Sequence, residues 1–239
     1  MNKIHLFTGP LLIAALLATG SAQATLLSDL IGQSLTVGDK TFDQWTIHDD
    51  TFSPANLISS IDVTGIGDGS AGNEYGLSFT LTSPLTVTGI DFADLFFGFR
   101  VTASAGLING VGLGVTGSLT ASGTNNGYGA WEYVGTSEAS AADQFALDHL
   151  VELNAEQVWA NGAVNGSLVD SGFFGPRSEI FIGKNLYVFS DTDTEASLSS
   201  FEQRFYQTNN VPEPSTLLLM SLGIIGLFHK HLRGNSCKA

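Results

Sequence analysis

The chain has 239 residues, with 23 acidic and 9 basic side chains and a formal net charge of −14. This balance argues against a nucleic-acid-binding function, because phosphate backbones are bound by clustered Lys and Arg. A hydrophobic content of 43% excludes a disordered chain, and a single Cys excludes an internal disulfide framework. The length fits one medium domain with targeting segments.

Residues 1–24 have the pattern of a secretory signal peptide. Lys3 gives a positive start, and residues 6–18 form a short apolar stretch. An Ala-Gln-Ala cleavage site follows at 22–24, so the mature chain is predicted to begin at Thr25. The alternative is an uncleaved N-terminal anchor, which the short apolar stretch disfavours.

Residues 25–210 form the body of the chain and are predicted to be rich in β-strands. Turn-forming dipeptides occur along this segment, and they suit the positive-φ positions of tight hairpins. They are Asn-Gly at 109–110, 126–127, 161–162 and 165–166, and Asp-Gly at 68–69. Alternating runs occupy 34–37, 44–47, 58–63, 75–81, 85–92, 95–102, 111–115, 130–134, 167–173, 179–189 and 198–206. This spacing predicts an all-β fold, a single β-sandwich or jelly-roll-like domain.

Residues 139–159 are the ambiguous segment of the body. They contain few glycines, which allows a short helix. However, Phe145 and Leu147 alternate with polar residues, and Asp148 and Glu152 fall on the opposite face, which is the period of a strand. We predict a strand here, with a short helix as the alternative.

Residues 211–233 form a second targeting segment. It opens on Pro-Glu-Pro at 212–214, a stiff and extended strip because Pro fixes φ and restricts the residue before it. A transmembrane span is predicted at about 215–232, with basic residues at its C-terminal end facing the cytoplasm. The alternative, a C-terminal core helix, is disfavoured because the run is apolar all round. A short tail, 234–239, follows.

The tail resembles the PEP-CTERM sorting signal of Gram-negative bacteria. The matching positions are Pro212, Glu213 and Pro214 for the motif, 217–228 for the span, and Lys230 and Arg233 for the basic end. The resemblance implies an exosortase, a membrane transpeptidase, as partner. It also implies export across the inner membrane, anchoring there, a final place at the cell surface or outside the cell, and a link to exopolysaccharide and biofilm matrix.

The sequence offers weak candidates for catalysis. Gly-x-Gly-x-x-Gly patterns begin at Gly67 and Gly112, but neither opens the helix of a βαβ unit, so we interpret them as turns or glycine-rich strands. His48 and His149 each lie beside an Asp. We interpret His48 as a solvated strand end and His149 as a half-buried packing residue. No catalytic constellation is recognisable, so we predict a protein that is not an enzyme.

Asp191, Asp193 and Glu195 form the best candidate for metal binding, because they fall at alternate positions of a Ca²⁺ loop. The Gly that such a loop needs at its sixth position is replaced by Ala196. We therefore predict an acidic hairpin loop, no dedicated metal site and no cofactor, with weak Ca²⁺ binding as the alternative.

The predicted function is that of an exported surface or extracellular-matrix protein associated with exopolysaccharide. The alternative is a carbohydrate-binding module that recognises the secreted glycan through an aromatic sheet face, and an exported hydrolase ranks last. The candidate aromatics are Trp45, Trp131, Trp159, Tyr75, Tyr128 and Tyr133. Alternating runs place most of them in the core, so the sheet-face hypothesis depends on which of them are exposed.

Overall fold

A computed structural model describes residues 24–208, and almost all of its regular structure is β-strand. The strands are β1 Thr25–Leu26, β2 Leu35–Val37, β3 Lys40–Asp49, β4 Ile61–Ile66, β5 Gly76–Thr88, β6 Asp91–Ala103, β7 Leu107–Leu119, β8 Asn125–Gly135, β9 Val151–Ala160, β10 Ala163–Asn165, β11 Val169–Arg177, β12 Glu179–Ser190 and β13 Glu195–Thr208. The helices are α1 Leu27–Leu30, α2 Glu138–Ala142 and a 3₁₀ helix at Leu57–Ser60.

The strands form two antiparallel sheets. The six-stranded sheet has the order β1-β4-β5-β13-β7-β11, and the seven-stranded sheet has the order β10-β9-β8-β12-β6-β3-β2. Inward-facing side chains of both sheets belong to one buried cluster. The prediction of an all-β sandwich is therefore confirmed for the described residues.

Aromatic rings occupy the centre of the core. Phe79 of the six-stranded sheet stacks on Phe201 at 4.3 Å between centroids, and Trp45 of the seven-stranded sheet stacks on Phe99 at 4.6 Å. Trp45 and Phe79 also meet edge to face at 6.5 Å. Because these rings bridge the two sheets, they fix how the sheets pack.

The fully buried polar side chains between the sheets include Glu132, Lys184 and Gln203. Lys184 Nζ donates to Glu132 Oε2 and to Gln203 Oε1, both at 2.5 Å, and Gln203 Nε2 donates to Glu132 Oε1 at 3.0 Å. Burial raises the pKa of Glu132 and lowers the pKa of Lys184, while their mutual attraction opposes both shifts. We call these three residues the buried triad.

The turn predictions were right at 68–69, 161–162 and 165–166, where a glycine with positive φ lies between strands, and wrong inside two strands. Asn161 and Gly162 have φ of 53° and 79° and join β9 to β10, as predicted. The Asn-Gly pairs at 109–110 and 126–127 instead lie within β7 and β8. Tertiary contacts explain the second case, because the buried Asn126 amide donates to the Thr120 carbonyl at 2.7 Å.

The ambiguous segment 139–159 contains both predicted structures. Its first part belongs to α2, which Ser137 caps by accepting a hydrogen bond from the Ser140 backbone amide at 3.2 Å. Irregular backbone follows, and β9 begins only at Val151. A continuous strand was therefore the wrong prediction for residues 139–150.

Residues 1–23 and 209–239 lie outside the described part of the chain. The predicted signal peptide and cleavage site, the Pro-Glu-Pro strip and the span at 215–232 fall there and stay predictions of structure. None of the helices between residues 24 and 208 has the length and apolar character needed to cross a bilayer.

Candidate functional site

The outward face of the seven-stranded sheet carries a groove of about 410 Å³, which we call the aromatic groove. Its aromatic lining consists of Phe92, Trp131, Tyr133, Phe145 and Tyr187. Its polar lining consists of Gln144, Glu152 and Asn185. This mixture of ring faces and hydrogen-bonding groups in a concave surface is typical of a ligand site.

Strand register places these side chains together. Trp131 of β8 pairs with Asn154 of β9 and with Asn185 of β12. Successive side chains of a strand point to opposite faces, so Trp131 and Tyr133 face outward while Glu132 between them enters the core. β12 follows the same pattern, with Asn185 outward beside the buried Lys184.

Exposed aromatic side chains are concentrated around this groove. Five aromatic side chains of residues 24–208 are exposed: Phe52, Phe92, Trp131, Phe145 and Phe173. Phe92, Trp131 and Phe145 line the groove, and Phe52 packs edge to face on Phe92 at 5.9 Å. The exposed fraction reaches 80% for Phe145. Because exposed rings are costly to hydrate, such a cluster indicates a binding surface.

One wall of the groove depends on a glycine. Gly183 of β12 lies directly beneath α2, and a Cβ at this position would overlap the Ala141 carbonyl oxygen. The helix therefore lies flat against the sheet. The segment that follows it supplies Gln144 and Phe145 to the groove, and Ser140 Oγ ties that segment down by donating to Asp148 Oδ1 at 2.9 Å.

Hydrogen-bonding groups lie in the groove and beside it, and some of them have protein partners while others have none between residues 24 and 208. Tyr187 donates its hydroxyl to Glu156, and burial together with this bond raises the pKa of Tyr187. The buried oxygens Asn185 Oδ1 and Asn154 Oδ1, on either side of Trp131, contact no protein donor within the described residues. A buried acceptor without a partner is costly, so these amides are suited to a ligand that donates.

His149 is held in place rather than free to act as a base. Its side chain is 3% exposed, and its ring lies 5.1 Å from Tyr133. Nε2 lies 2.8 Å from the Ser140 carbonyl oxygen, which can only accept, and Nδ1 lies 2.7 Å from Glu152 Oε1. Both ring nitrogens are engaged, so the histidine positions Glu152 at the groove.

His48 is a packing residue. Its ring lies 5.1 Å from Phe96 and crosses Gly98, where a Cβ would come within 2.6 Å of His48 Nε2. Burial lowers the pKa of His48, so the neutral imidazole is favoured. The interpretation as a solvated strand end is replaced by a half-buried position on the outer sheet face.

Asp94 lies on β6 beside Tyr187 of β12 and is half-buried. Burial first, and then the charge of Asp49, raise the pKa of Asp94 to about 6, while the Asn185 amide lowers it in part. The carboxyl is thus neutral in mildly acidic solution and can donate a hydrogen bond. At neutral pH it is a poorly solvated anion.

The substitution Asp94→Asn is expected to stabilise the fold at pH 7.5 by about 1 kcal/mol, since it removes that anion. The folded pKa lies above the ordinary 3.8. The contribution of Asp94 to the free energy of unfolding of the wild type therefore becomes more favourable as pH falls through about 6. The extra stability of the variant should vanish near pH 4. Urea unfolding at the two pH values measures this, and an equal gain at pH 4 would contradict it.

The structure separates the six predicted aromatic candidates into three groups. Trp131 and Tyr133 line the groove, whereas Trp45 and Tyr128 are buried in the core. Tyr75, which packs against the core, and Trp159 of β9 are half-buried. Sequence reasoning missed Phe92, Phe145, Asn185 and Tyr187. The alternation within β12 could have identified Asn185 and Tyr187 as sharing one face, but nothing local shows that this face meets β8.

The acidic loop is a turn between β12 and β13. Asp191 Oδ1 accepts the Thr192 amide at 2.7 Å, Asp193 adopts a φ of 60°, and Glu195 opens β13. Between residues 24 and 208 no group of three or more His, Cys, Asp or Glu is placed to hold a metal ion. Weak Ca²⁺ binding by this loop stays a prediction.

The sorting tail has an independent match. Residues 210–230 match the family model of the PEP-CTERM protein-sorting motif. The chain therefore carries a PEP-CTERM sorting motif at residues 210–230, as Pro212, Glu213 and Pro214 predicted. The motif indicates an exported protein that an exosortase sorts.

Other comparisons give only remote likenesses. A carbohydrate-binding module in complex with β-1,4-galactotriose shares 10% identity over 69% of this chain and 89% of its own, with a TM-score of 0.27. A bacteriophage tailspike domain shares 10% identity over 78% of this chain and 22% of its own, with a TM-score of 0.28. A cellulase derived from that of Rhodothermus marinus shares 11% identity over 71% of this chain and 98% of its own, with a TM-score of 0.21. TM-scores of this size support no inference, and no curated protein matches the sequence.

Proposed function

We propose that the protein is an exported surface or matrix protein that binds extracellular polysaccharide through the aromatic groove. The observation that carries this proposal is the clustering of exposed aromatic side chains on one sheet face, centred on Trp131. The tail supports delivery to the place where such a glycan would be met.

The chemistry of the groove suits a sugar chain. A pyranose ring has an apolar C–H face that packs on an aromatic ring and a rim of hydroxyls that need hydrogen-bond partners. Trp131 supplies a half-open indole, 36% exposed, and the amide of the lining residue Asn185 supplies an acceptor. Glu152 adds a carboxylate at the edge.

Trp131→Ala is expected to weaken glycan binding by roughly tenfold or more, because it removes the central stacking surface. The measurement is a glycan-array screen with the full-length protein in detergent, followed by calorimetry on the best oligosaccharide. Ile90→Ala is the matched control, since Ile90 is also exposed but lies in the turn between β5 and β6. Equal binding by both variants would contradict the proposal.

A second outcome of the same screen concerns hydrolysis. Asp94, with its pKa raised to about 6, has the character of a general acid beside the groove. Release of new reducing ends from a bound polymer, lost in Asp94→Asn, would make the protein a hydrolase. Binding without release supports the binding function.

The exosortase step has its own test, independent of the glycan. We infer that the exported protein is processed at or near the Pro-Glu-Pro strip. Intact-mass spectrometry of protein recovered outside the inner membrane should show loss of the residues that follow this strip. The full C-terminal mass, found unchanged in that fraction, would contradict processing.

A further inference from the structure

The six-stranded sheet carries a second aromatic platform on its own outer face. Phe173 of β11 and Tyr206 of β13 lie on either side of Gly110 of β7, and their ring centroids are 5.3 Å apart. Phe173 is 66% exposed. It is the one exposed aromatic side chain of residues 24–208 that lies away from the aromatic groove.

Glycines make the floor of this platform. Gly110, Gly112 and Gly114 form the outward row of β7, and the neighbouring strands supply side chains on both sides of it. A Cβ at Gly110 would come within 2.6 Å of the Phe173 ring, and one at Gly112 within 2.8 Å of the Tyr206 hydroxyl. Phe173 and Tyr206 therefore pack on glycine backbone that carries no side chain. This leaves one face of each ring exposed to solvent.

Concave space surrounds the platform. A cavity of about 370 Å³ over Gly112 and Gly114 includes Ser171, Glu202 and Arg204 in its lining. A second cavity of about 250 Å³ lies on the other side and includes Phe173. Tyr206 lines both, so the two cavities lie against its side chain, and we call the pair the channel.

The channel also holds an unused hydrogen-bonding group. Asn109 lines the smaller cavity, and its buried Oδ1 contacts no protein donor in the described part of the chain. The Gln207 amide donates to Asp39 and to the Ala105 carbonyl, so it cannot serve Asn109. A ligand with hydroxyl donors would satisfy the Asn109 oxygen.

We propose that this channel is a second polysaccharide-binding surface, so that the protein joins two glycan chains across its two sheets. The occupant follows from the lining: ring faces flanked by an amide, a hydroxyl, a carboxylate and a guanidinium match the apolar faces and hydroxyl rim of sugars, as in the aromatic groove. The inference rests on the proposed function and adds cross-linking to it. Two sites on opposite faces bind a polymer network by avidity.

The test uses full-length protein in detergent with three soluble polymers: xyloglucan, galactan and alginate. Wild type is expected to bind at least one and to raise the viscosity of its solution. Trp131→Ala should bind about tenfold more weakly but still measurably through the second surface, and Phe173→Ala should keep binding through the aromatic groove. Both single variants should lose the rise in viscosity. The double variant should lose binding by at least tenfold relative to either single variant.

The outcomes separate the two proposals. If Trp131→Ala abolishes all binding, the aromatic groove is the only site and the second surface is overturned. If Trp131→Ala binds like wild type while Phe173→Ala does not bind, the groove fails as proposed function and the second surface stands. If the Phe173→Ala variant instead changes the sedimentation coefficient without glycan, the surface is a contact between copies, and the inference is overturned.

Folding controls keep the experiment decisive. Phe173 is mostly exposed, so its replacement should leave the unfolding midpoint within the range of ordinary surface substitutions. Tyr206→Phe provides a second variant that keeps the ring and removes only the hydroxyl over Gly112. It should retain both binding and viscosity, and a loss of both would contradict stacking as the mode of recognition.

Discussion

Lys184→Met is expected to destabilise the protein by about 3–5 kcal/mol, the largest single effect that the structure indicates. The substitution leaves Glu132 fully buried without its cation, and Gln203 then offers the carboxylate its single remaining hydrogen bond of the triad. Burial already raises the pKa of Glu132, and loss of the ammonium raises it further. The variant should regain stability as pH falls, because a protonated Glu132 carries no charge.

Urea unfolding at pH 7 and pH 5 measures both effects. The control is the triple variant Glu132→Leu, Lys184→Met, Gln203→Leu, which replaces the buried triad by apolar side chains. Buried ion pairs often stabilise no more than well-packed hydrophobic residues, so the triple variant should be far more stable than Lys184→Met alone. A Lys184→Met variant with wild-type stability would mean that Glu132 and Lys184 are not buried together.

Gly183→Ala is expected to cost about 1–3 kcal/mol and to weaken glycan binding at the same time. The added Cβ overlaps the Ala141 carbonyl oxygen, which belongs to backbone and cannot rotate away. The helix α2 must then rise from the sheet, and it carries Gln144 and Phe145 out of the groove wall. Stability and affinity are thus linked at one residue.

Gly175→Ala is the matched control, because a Cβ at Gly175 of β11 meets no atom within 4 Å. Its unfolding free energy and its binding should remain close to wild type. Denaturant unfolding and calorimetry with the glycan compare the two variants. Equal behaviour of the two would show that α2 does not rest on Gly183.

The sequence pattern predicted the strands but not which face of each strand is exposed to solvent. Period-2 alternation in β8 correctly puts Trp131 and Tyr133 on one face and Glu132 on the other. Hydrophobicity alone would turn the aromatic residues inward and the carboxylate outward, which is the reverse of the structure. The reversal is stable only because Lys184 and Gln203, distant in sequence, satisfy Glu132 in the core.

The sequence predicted the type of candidate site, an aromatic sheet face, but not most of the residues that line it. Trp131 and Tyr133 were among six candidate aromatics, and an exposed sheet face was the stated condition for sugar binding. Phe145 could not be found, because its position depends on α2, which the alternation around it obscured. Asn185 lies beside Trp131 through strand pairing across 54 residues, and single-chain periodicity carries no information on such pairing.

Charge distribution in the sandwich has a consequence for the material that many copies would form. Four of the five Lys and Arg side chains in residues 24–208 are bound in ion pairs, with Asp39, Asp43, Glu132 and Glu202. The remaining carboxylates give each molecule an anionic exterior, and neighbouring copies repel over a distance set by dissolved salt. A layer rich in this protein should swell in fresh water and contract in hard water.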